Sequence, residues 1–139
     1  MISEMTKDEA KNLLAQQNLG RLGCIAEGEA YVVPVHYHFD GEDIYLHSLP
    51  GRKLSALRTH NRACLQVDSI QDPWQWRSVI AYGQYQEIAD PKLREQSLIS
   101  ILRHVPDMTP VESKMSTRGD EVVVFRLRLE QITGVSETW

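Results

Sequence analysis

Arg52 and Lys53 directly follow Gly51, at the start of a segment in which Leu54 and Leu57 fall about one helical turn apart. A helix N-terminus carries unpaired N–H groups and a partial positive charge, so it attracts anions and repels cations. Two full positive charges at that end are a mismatch that a bound anion, most naturally a phosphate, would resolve. The alternative is that both side chains turn into water, at a cost of roughly a few tenths of a kcal/mol. Three histidines, His36, His38 and His47, lie just upstream. With neutral rings they can hydrogen-bond the edge of a ligand or move a proton near neutral pH. Imidazole also ligates metals and haem iron, but no Cys/His spacing supports a metal site here, so ordinary hydrogen-bonding histidines are the simpler reading. Trp74 and Trp76 are suited to stacking on a ligand and equally to anchoring a core or an interface. Asp, Glu and Ser are scattered with no nucleophile–base motif, which leaves a hydrolase little support.

These residues need a scaffold. The central stretch, Ala30 to His60, predicts a strand over Tyr31 to Phe39, a turn at Asp40-Gly41, a second strand ending at His47-Ser48, a tight loop, and a helix from Gly51. Pro34 cannot donate to a ladder, so its strand must be an edge or be bulged there, leaving backbone groups open to a planar ligand. His36 and His38 share strand parity. Upstream, Thr6 and Glu9 form a capping box for a short amphipathic helix that Gly20 should end, and 20–26 reads as a strand with Arg21 facing outward. Downstream, 61–68 reads as a strand, 69–76 as a loop with the two tryptophans, and 77–88 as a long strand with a possible bulge at Gly83. Asp90-Pro91 opens a helix with an apolar stripe of Leu93, Leu98, Ile101 and Leu102 reaching about His104. A short helix fits 110–116, and 121–132 alternates as a strand. About six strands without regular βαβ alternation predict a mainly β, α+β fold: an antiparallel barrel with helical covers.

The bulk properties agree. The 139 residues suit one domain, 1–139, with 42% apolar and 24% charged residues. A net charge of −4 gives no global basic field for nucleic acid or an anionic membrane, so an anion site must be local. No apolar run approaches a bilayer span, and the N-terminal residues lack a secretory pattern, so a cytoplasmic protein is expected. Cys24 and Cys64 sit in apolar strand contexts without ligand spacing and read as buried thiols.

The stretch VVPVHYHFDGEDIYLHSLPGRKLSALRTHNRACLQVD resembles the pyridoxamine 5′-phosphate oxidase-like, FMN-binding split-barrel superfamily, nearer its small nitroimidazole-resistance-like branch than the oxidases themselves. The resemblance covers roughly 6–134 and is most specific at 44–57 and 77–87. It implies a split antiparallel β-barrel and a homodimer with FMN in clefts at the subunit interface. By similarity, the backbone of Val32, Val33, Pro34, Val35 and His36 edges the flavin ring, and Leu46, His47 and Ser48 line it. Arg52 and Lys53 grip the phosphate, matching the helix-terminus argument. Trp76 and Ser78 lie on the strand that reaches the flavin from the other subunit. The implied activity is an oxidoreductase passing electrons or hydride between a reduced nicotinamide and a small aromatic or nitro substrate. A flavin-binding module without turnover, or a haem-handling split barrel, is the alternative. Two departures stand out. The oxidases carry a basic residue where this chain has Tyr31, with Arg21 the candidate replacement, and they extend past the last strand with a Trp and an Arg, where this sequence stops at Trp139.

Overall fold

The computed structural model describes residues 1–103 and 121–139. The elements run β1 (Ile2–Glu4), α1 (Lys7–Gln16), β2 (Leu19–Ala26), β3 (Glu29–His36), β4 (His38–Phe39), β5 (Asp43–Ser48), α2 (Arg52–Thr59), β6 (Arg62–Asp72), β7 (Gln75–Glu87), α3 (Pro91–Arg103) and β8 (Val123–Glu137). The predicted helix over 110–116, and the reach of α3 to His104, lie outside the described residues.

One curled sheet holds the strands in the order β3-β2-β6-β7-β8-β5-β4, every pairing antiparallel, with β1 added to the end of β8. Alternation decides what each face buries. Leu22, Leu65, Val67, Val79, Ala81, Phe125 and Leu127 point inward and join Ile44, Leu46, Leu54 and Leu57 in the main core. A smaller cluster of Tyr45, Ile88, Ile101 and Val124 sits on the other side of β5 and β8, under α3. The start of β8 is therefore apolar on both faces, which simple alternation along 121–132 does not predict.

The turns follow their residue chemistry. Glu27 and Gly28 both take positive φ (54° and 78°), the geometry of a two-residue hairpin that matches strand twist. Asp40 Oδ1 accepts from the Glu42 and Asp43 amides, 2.8 Å each, closing the predicted turn. Pro34 lies on β3, an edge strand, in unbroken register with β2, so the edge rather than a bulge accommodates it. The irregularity near Gly83 is real: Tyr82 pairs with Gln131 and Gly83 with Leu129, leaving Glu130 as the extra residue on β8. A Cβ at Gly83 would stand 2.6 Å from the Arg128 carbonyl oxygen, so only glycine lets the strands approach there.

Several boundaries differ from the sequence reading: the predicted Tyr31 to Phe39 strand divides into β3 and β4, which puts His36 and His38 on different strands, and the last strand runs past Ile132 to Glu137. The first helix ends at Gln16, and Gly20 lies within β2, where a Cβ would stand 2.9 Å from the Gln66 carbonyl oxygen. Its role is close strand packing, not helix termination. The expected 69–76 loop shrinks to Pro73-Trp74. Asp72 Oδ1 accepts from the Trp74 amide (2.8 Å), and this tight turn lets Ser69 and Ile70 pair with Arg77 and Trp76.

The capping box at α1 forms as predicted: Glu9 N–H donates to Thr6 Oγ1 (3.2 Å) and Thr6 N–H to Glu9 Oε1 (2.9 Å). Its C-terminal end is tied down by Tyr37, buried between β3 and β4, whose hydroxyl donates to the Leu14 carbonyl at 2.6 Å. Burial pushes the Tyr37 phenol well above its ordinary range, keeping it a donor. Tyr37→Phe should lower stability by about 1–3 kcal/mol, because it strands a buried carbonyl. A shift of the urea midpoint with an unchanged slope checks this; no shift would show that water replaces the bond.

The far end of α2 is braced to β7. Arg58 and the Tyr85 hydroxyl both donate to Glu87, and the Arg58 bond, the larger influence, holds the Glu87 carboxyl below its usual value. A depressed folded-state pKa stabilises the fold above the unfolded pKa and loses that contribution as pH falls through the folded one. Glu87→Gln should therefore be slightly less stable than wild type at neutral pH. The gap should close below about pH 4.3. Urea midpoints measured across pH 3–7 decide it, and a gap constant over that range would refute the ion-pair account; the small size follows from solvent screening of a partly exposed pair.

Candidate functional site

Arg52 and Lys53 are the first two residues of α2. Gly51 precedes them with an extended backbone, no side chain caps the helix, and its first turn holds no acid. Nothing within the described fold neutralises the positive end of this helix with a first-turn carboxylate, so the mismatch expected from the sequence is present in three dimensions. The Arg52 guanidinium lies 5.1 Å from the centroid of the Tyr31 ring, a cation–π stack that fixes it against β3. Tyr31 pairs in register with Cys24 on β2. Burial pushes the Cys24 thiol up, and Lys53 and then Arg52 oppose that shift through their charge, which places both cations at this end of the barrel.

β3 and β5 frame the same end. The backbone of Val32 to His36 forms the edge strand, with Val33 and Val35 turned inward and Val32, Pro34 and His36 outward. β3 touches β5. On β5, Leu46 belongs to the main core, His47 takes the alternate side beside Val124 in register, and all of Leu46, His47 and Ser48 are buried. Ser48 Oγ donates to the Leu49 carbonyl at 2.8 Å, turning the chain toward Pro50-Gly51 and α2. His36 Nδ1 is buried without a hydrogen-bond partner. A buried polar nitrogen left unpaired carries a desolvation cost that a ligand's polar edge would relieve. β3, β5 and the start of α2 thus carry Val32 to His36, Leu46 to Ser48, Arg52 and Lys53, with His47 on the face of β5 opposite Leu46 and Ser48.

Trp76 and Ser78 are not part of that group. They lie on β7, with β2 and β6 between them and β3. The Trp76 indole donates to Glu137 Oε1 (2.8 Å), and Ser78 Oγ accepts from Gln66 Nε2 (3.0 Å). Gln66 also donates to Asp68, which pairs with Arg21 at 3.0 Å. Arg21 therefore faces outward, as its strand position predicts, and is engaged by Asp68. The tryptophans part company as well. Trp74 is exposed at the hairpin tip with its ring centroid 6.1 Å from that of Trp139. Among the described residues, no group of three or more His, Cys, Asp or Glu stands close enough to hold a metal ion, and no helix is long and apolar enough to cross a membrane.

A sequence model described as pyridoxamine 5′-phosphate oxidase matches residues 6–136. The chain belongs to that family. An uncharacterized protein of Rhizobium meliloti (strain 1021) is 33% identical over 139 residues, covering 94% of this chain and 91% of that protein. An FAD-binding protein of Mesorhizobium loti superposes with a TM-score of 0.78 at 26% identity, over 100% of this chain and 98% of that one. A nitroimidazole-resistance-like protein of Bacteroides thetaiotaomicron shares the fold, with a TM-score of 0.76 at 21% identity over 98% and 89% of the two chains. The curled sheet with its helical covers is the split barrel of pyridoxamine 5′-phosphate oxidase-like proteins. In this member, the position where the oxidases would be basic holds Tyr31, whose ring supports Arg52 from beneath.

One feature of this family member escapes a residue-by-residue reading of the sequence. A groove of about 720 Å³ runs along α2. Arg52, Ser55, Ala56, Thr59 and His60 form its helical wall, and the β2–β3 hairpin forms the other. The signal is the spacing i, i+3, i+4, i+7, i+8, which puts small and polar side chains on one helix face.

Proposed function

We propose that this pyridoxamine 5′-phosphate oxidase-family chain is a cytoplasmic, homodimeric flavoprotein that binds the FMN portion of a flavin. We further propose that it passes electrons or hydride from a reduced nicotinamide to a small aromatic or nitro compound. The observation that carries the reading is the pair of cations at an uncapped, acid-free helix start, beside an edge strand with an unpaired buried histidine nitrogen. Bound there, the flavin supplies the redox chemistry. Arg52 and Lys53 hold its phosphate through charge-assisted bonds. The backbone of Val32, Val33, Pro34, Val35 and His36 lies along the ring, and Leu46, His47 and Ser48 close the other side and keep water out. His36 Nδ1 gains a partner on the ring's polar edge. The description of the M. loti relative as FAD-binding supports a flavin.

What one chain keeps apart supports a homodimer. Trp76 and Ser78 meet the β3–β5–α2 group only if a second copy presents its β7 to it. The outward face of the sheet suits such a contact, with Val32 66% and Val135 37% exposed beside the Arg21–Asp68–Gln66–Ser78 network. Reducing the flavin-loaded protein with a reduced nicotinamide and adding a nitroaromatic acceptor tests the reaction. Bleaching of the flavin followed by recovery on adding acceptor is expected; flavin that resists every donor would make the chain a binding module.

A further inference from the structure

From the hairpin between β6 and β7 we infer a binding site for a small quaternary ammonium cation, in the wedge between Trp74 and Trp139. The inference stands apart from the flavin reading and uses residues which that reading leaves out. A hollow of about 370 Å³ opens at this end of the sheet, lined by Asp72, Trp74, Gln75 and Trp139. Its volume falls within the roughly 300–1,000 Å³ of small-molecule sites. The two indole rings stand with centroids 6.1 Å apart and planes at 53°, so they are splayed and not stacked. A cation seated between them lies within the roughly 6 Å reach of both rings at once. Both rings face solvent, Trp74 at 61% and Trp139 at 95% exposure, although tryptophan has a large apolar surface to bury.

Asp72 gives the wedge its sign, being the charged residue among the four that line it. Its Oδ1 accepts from the Trp74 amide at 2.8 Å and its Oδ2 from Gln75 Nε2 at 3.2 Å. Both donors are neutral, so these bonds hold the carboxylate in place without cancelling its charge. A second hollow of about 220 Å³, which also touches Gln75, carries Arg77 and Glu137 together and lacks that imbalance. Two π faces beside a carboxylate attract a cation through the ring quadrupoles and through direct charge. They do not offer the several acceptors that a primary ammonium, with three donors, needs in place of water. A fully methylated ammonium has no N–H to satisfy and presents methyl groups to the rings. The lining therefore selects a trimethylammonium group over a lysine-like one.

Calorimetric titration of the intact protein with choline, and at matched ionic strength with its uncharged tert-butyl analogue, tests the inference. Choline is expected to bind saturably and at least about tenfold tighter than the analogue, which has the same shape without the charge. Trp74→Leu and Asp72→Asn are each expected to weaken choline by at least about tenfold with circular dichroism unchanged. The fold tolerates both, since Trp74 is exposed at a hairpin tip and asparagine keeps the oxygen that accepts from the Trp74 amide. Sedimentation with phosphatidylcholine vesicles separates a free cation from a lipid headgroup, and no vesicle binding is expected. Equal affinity for choline and its analogue, or wild-type choline affinity in folded Trp74→Leu, would overturn the site. So would vesicle binding without a response to free choline, or no choline binding at all.

Discussion

Replacing Arg52 and Lys53 together by alanine weakens flavin binding by at least about 100-fold while the barrel stays folded. Hydrogen bonds to charged groups are worth about 1.5–3 kcal/mol each. Losing two therefore removes about 3 kcal/mol or more, and each 1.4 kcal/mol is roughly a factor of ten in affinity. The fold survives because the helix is held by Leu54, Ala56 and Leu57, which are buried, while Arg52 is exposed and stacked on Tyr31. Removing two cations from a helix start also relieves a repulsion with the helix dipole. Circular dichroism should be unchanged and fluorescence titration should show the loss. A folded double variant with wild-type flavin affinity would remove the phosphate grip from the account.

Val135→Glu is expected to dissociate the proposed dimer and to take flavin affinity with it. Val135 lies on β8, in register with Ser78, on the outward face of the sheet and 37% exposed, so a carboxylate there stays hydrated in a single chain. Buried against a second copy, the same charge is unpaired and costs on the order of 3–5 kcal/mol. The residue is remote from Arg52 and Lys53, so its effect on flavin works through assembly and not through the phosphate. Light scattering at micromolar concentration should report a dimer for wild type and a monomer for the variant. A variant that stays dimeric with full flavin affinity would place the interface elsewhere, and a monomeric wild type that binds flavin tightly would remove the need for a second copy.

Much of the fold is legible where local chemistry is strong. The Thr6–Glu9 capping box, the Asp40-Gly41 turn, the edge position of Pro34 and the Asp90-Pro91 helix start each rest on a residue whose backbone preference admits few alternatives, and each is found. The resemblance carried by 32–68 supplies the topology that local chemistry cannot. What was misread depends on partners distant in sequence. Gly20 looks like a helix stop until Gln66 is seen against it, and β1, three residues long, exists only because β8 lends it a ladder. The 69–76 segment reads as a loop by its polarity, whereas the Asp72 turn lets the strands run nearly to its tip. Val124 on the second face of β8 is explained by α3, which alternation along one strand does not reveal.

The site divides in the same way. Arg52 and Lys53 stand out from charge and helix position alone, and both stand at the uncapped, acid-free start of α2. Tyr31 reads as a loss against the family pattern, yet its ring is what Arg52 rests on. Trp76 and Ser78 stand apart from the rest within one chain, with β2 and β6 between their strand and β3 and with β8 between it and β5.

The central claim is that the uncapped start of α2 holds a flavin phosphate. The most direct measurement is an absorbance spectrum of the purified protein, followed by titration with flavin under fluorescence. The account predicts flavin bands in the protein as isolated, or saturable quenching with a tight dissociation constant that is lost in the Arg52→Ala, Lys53→Ala protein. A colourless protein that leaves flavin fluorescence untouched would contradict it, as would a Soret band that disappears on mutating His36, His38 and His47 while Arg52→Ala leaves it in place.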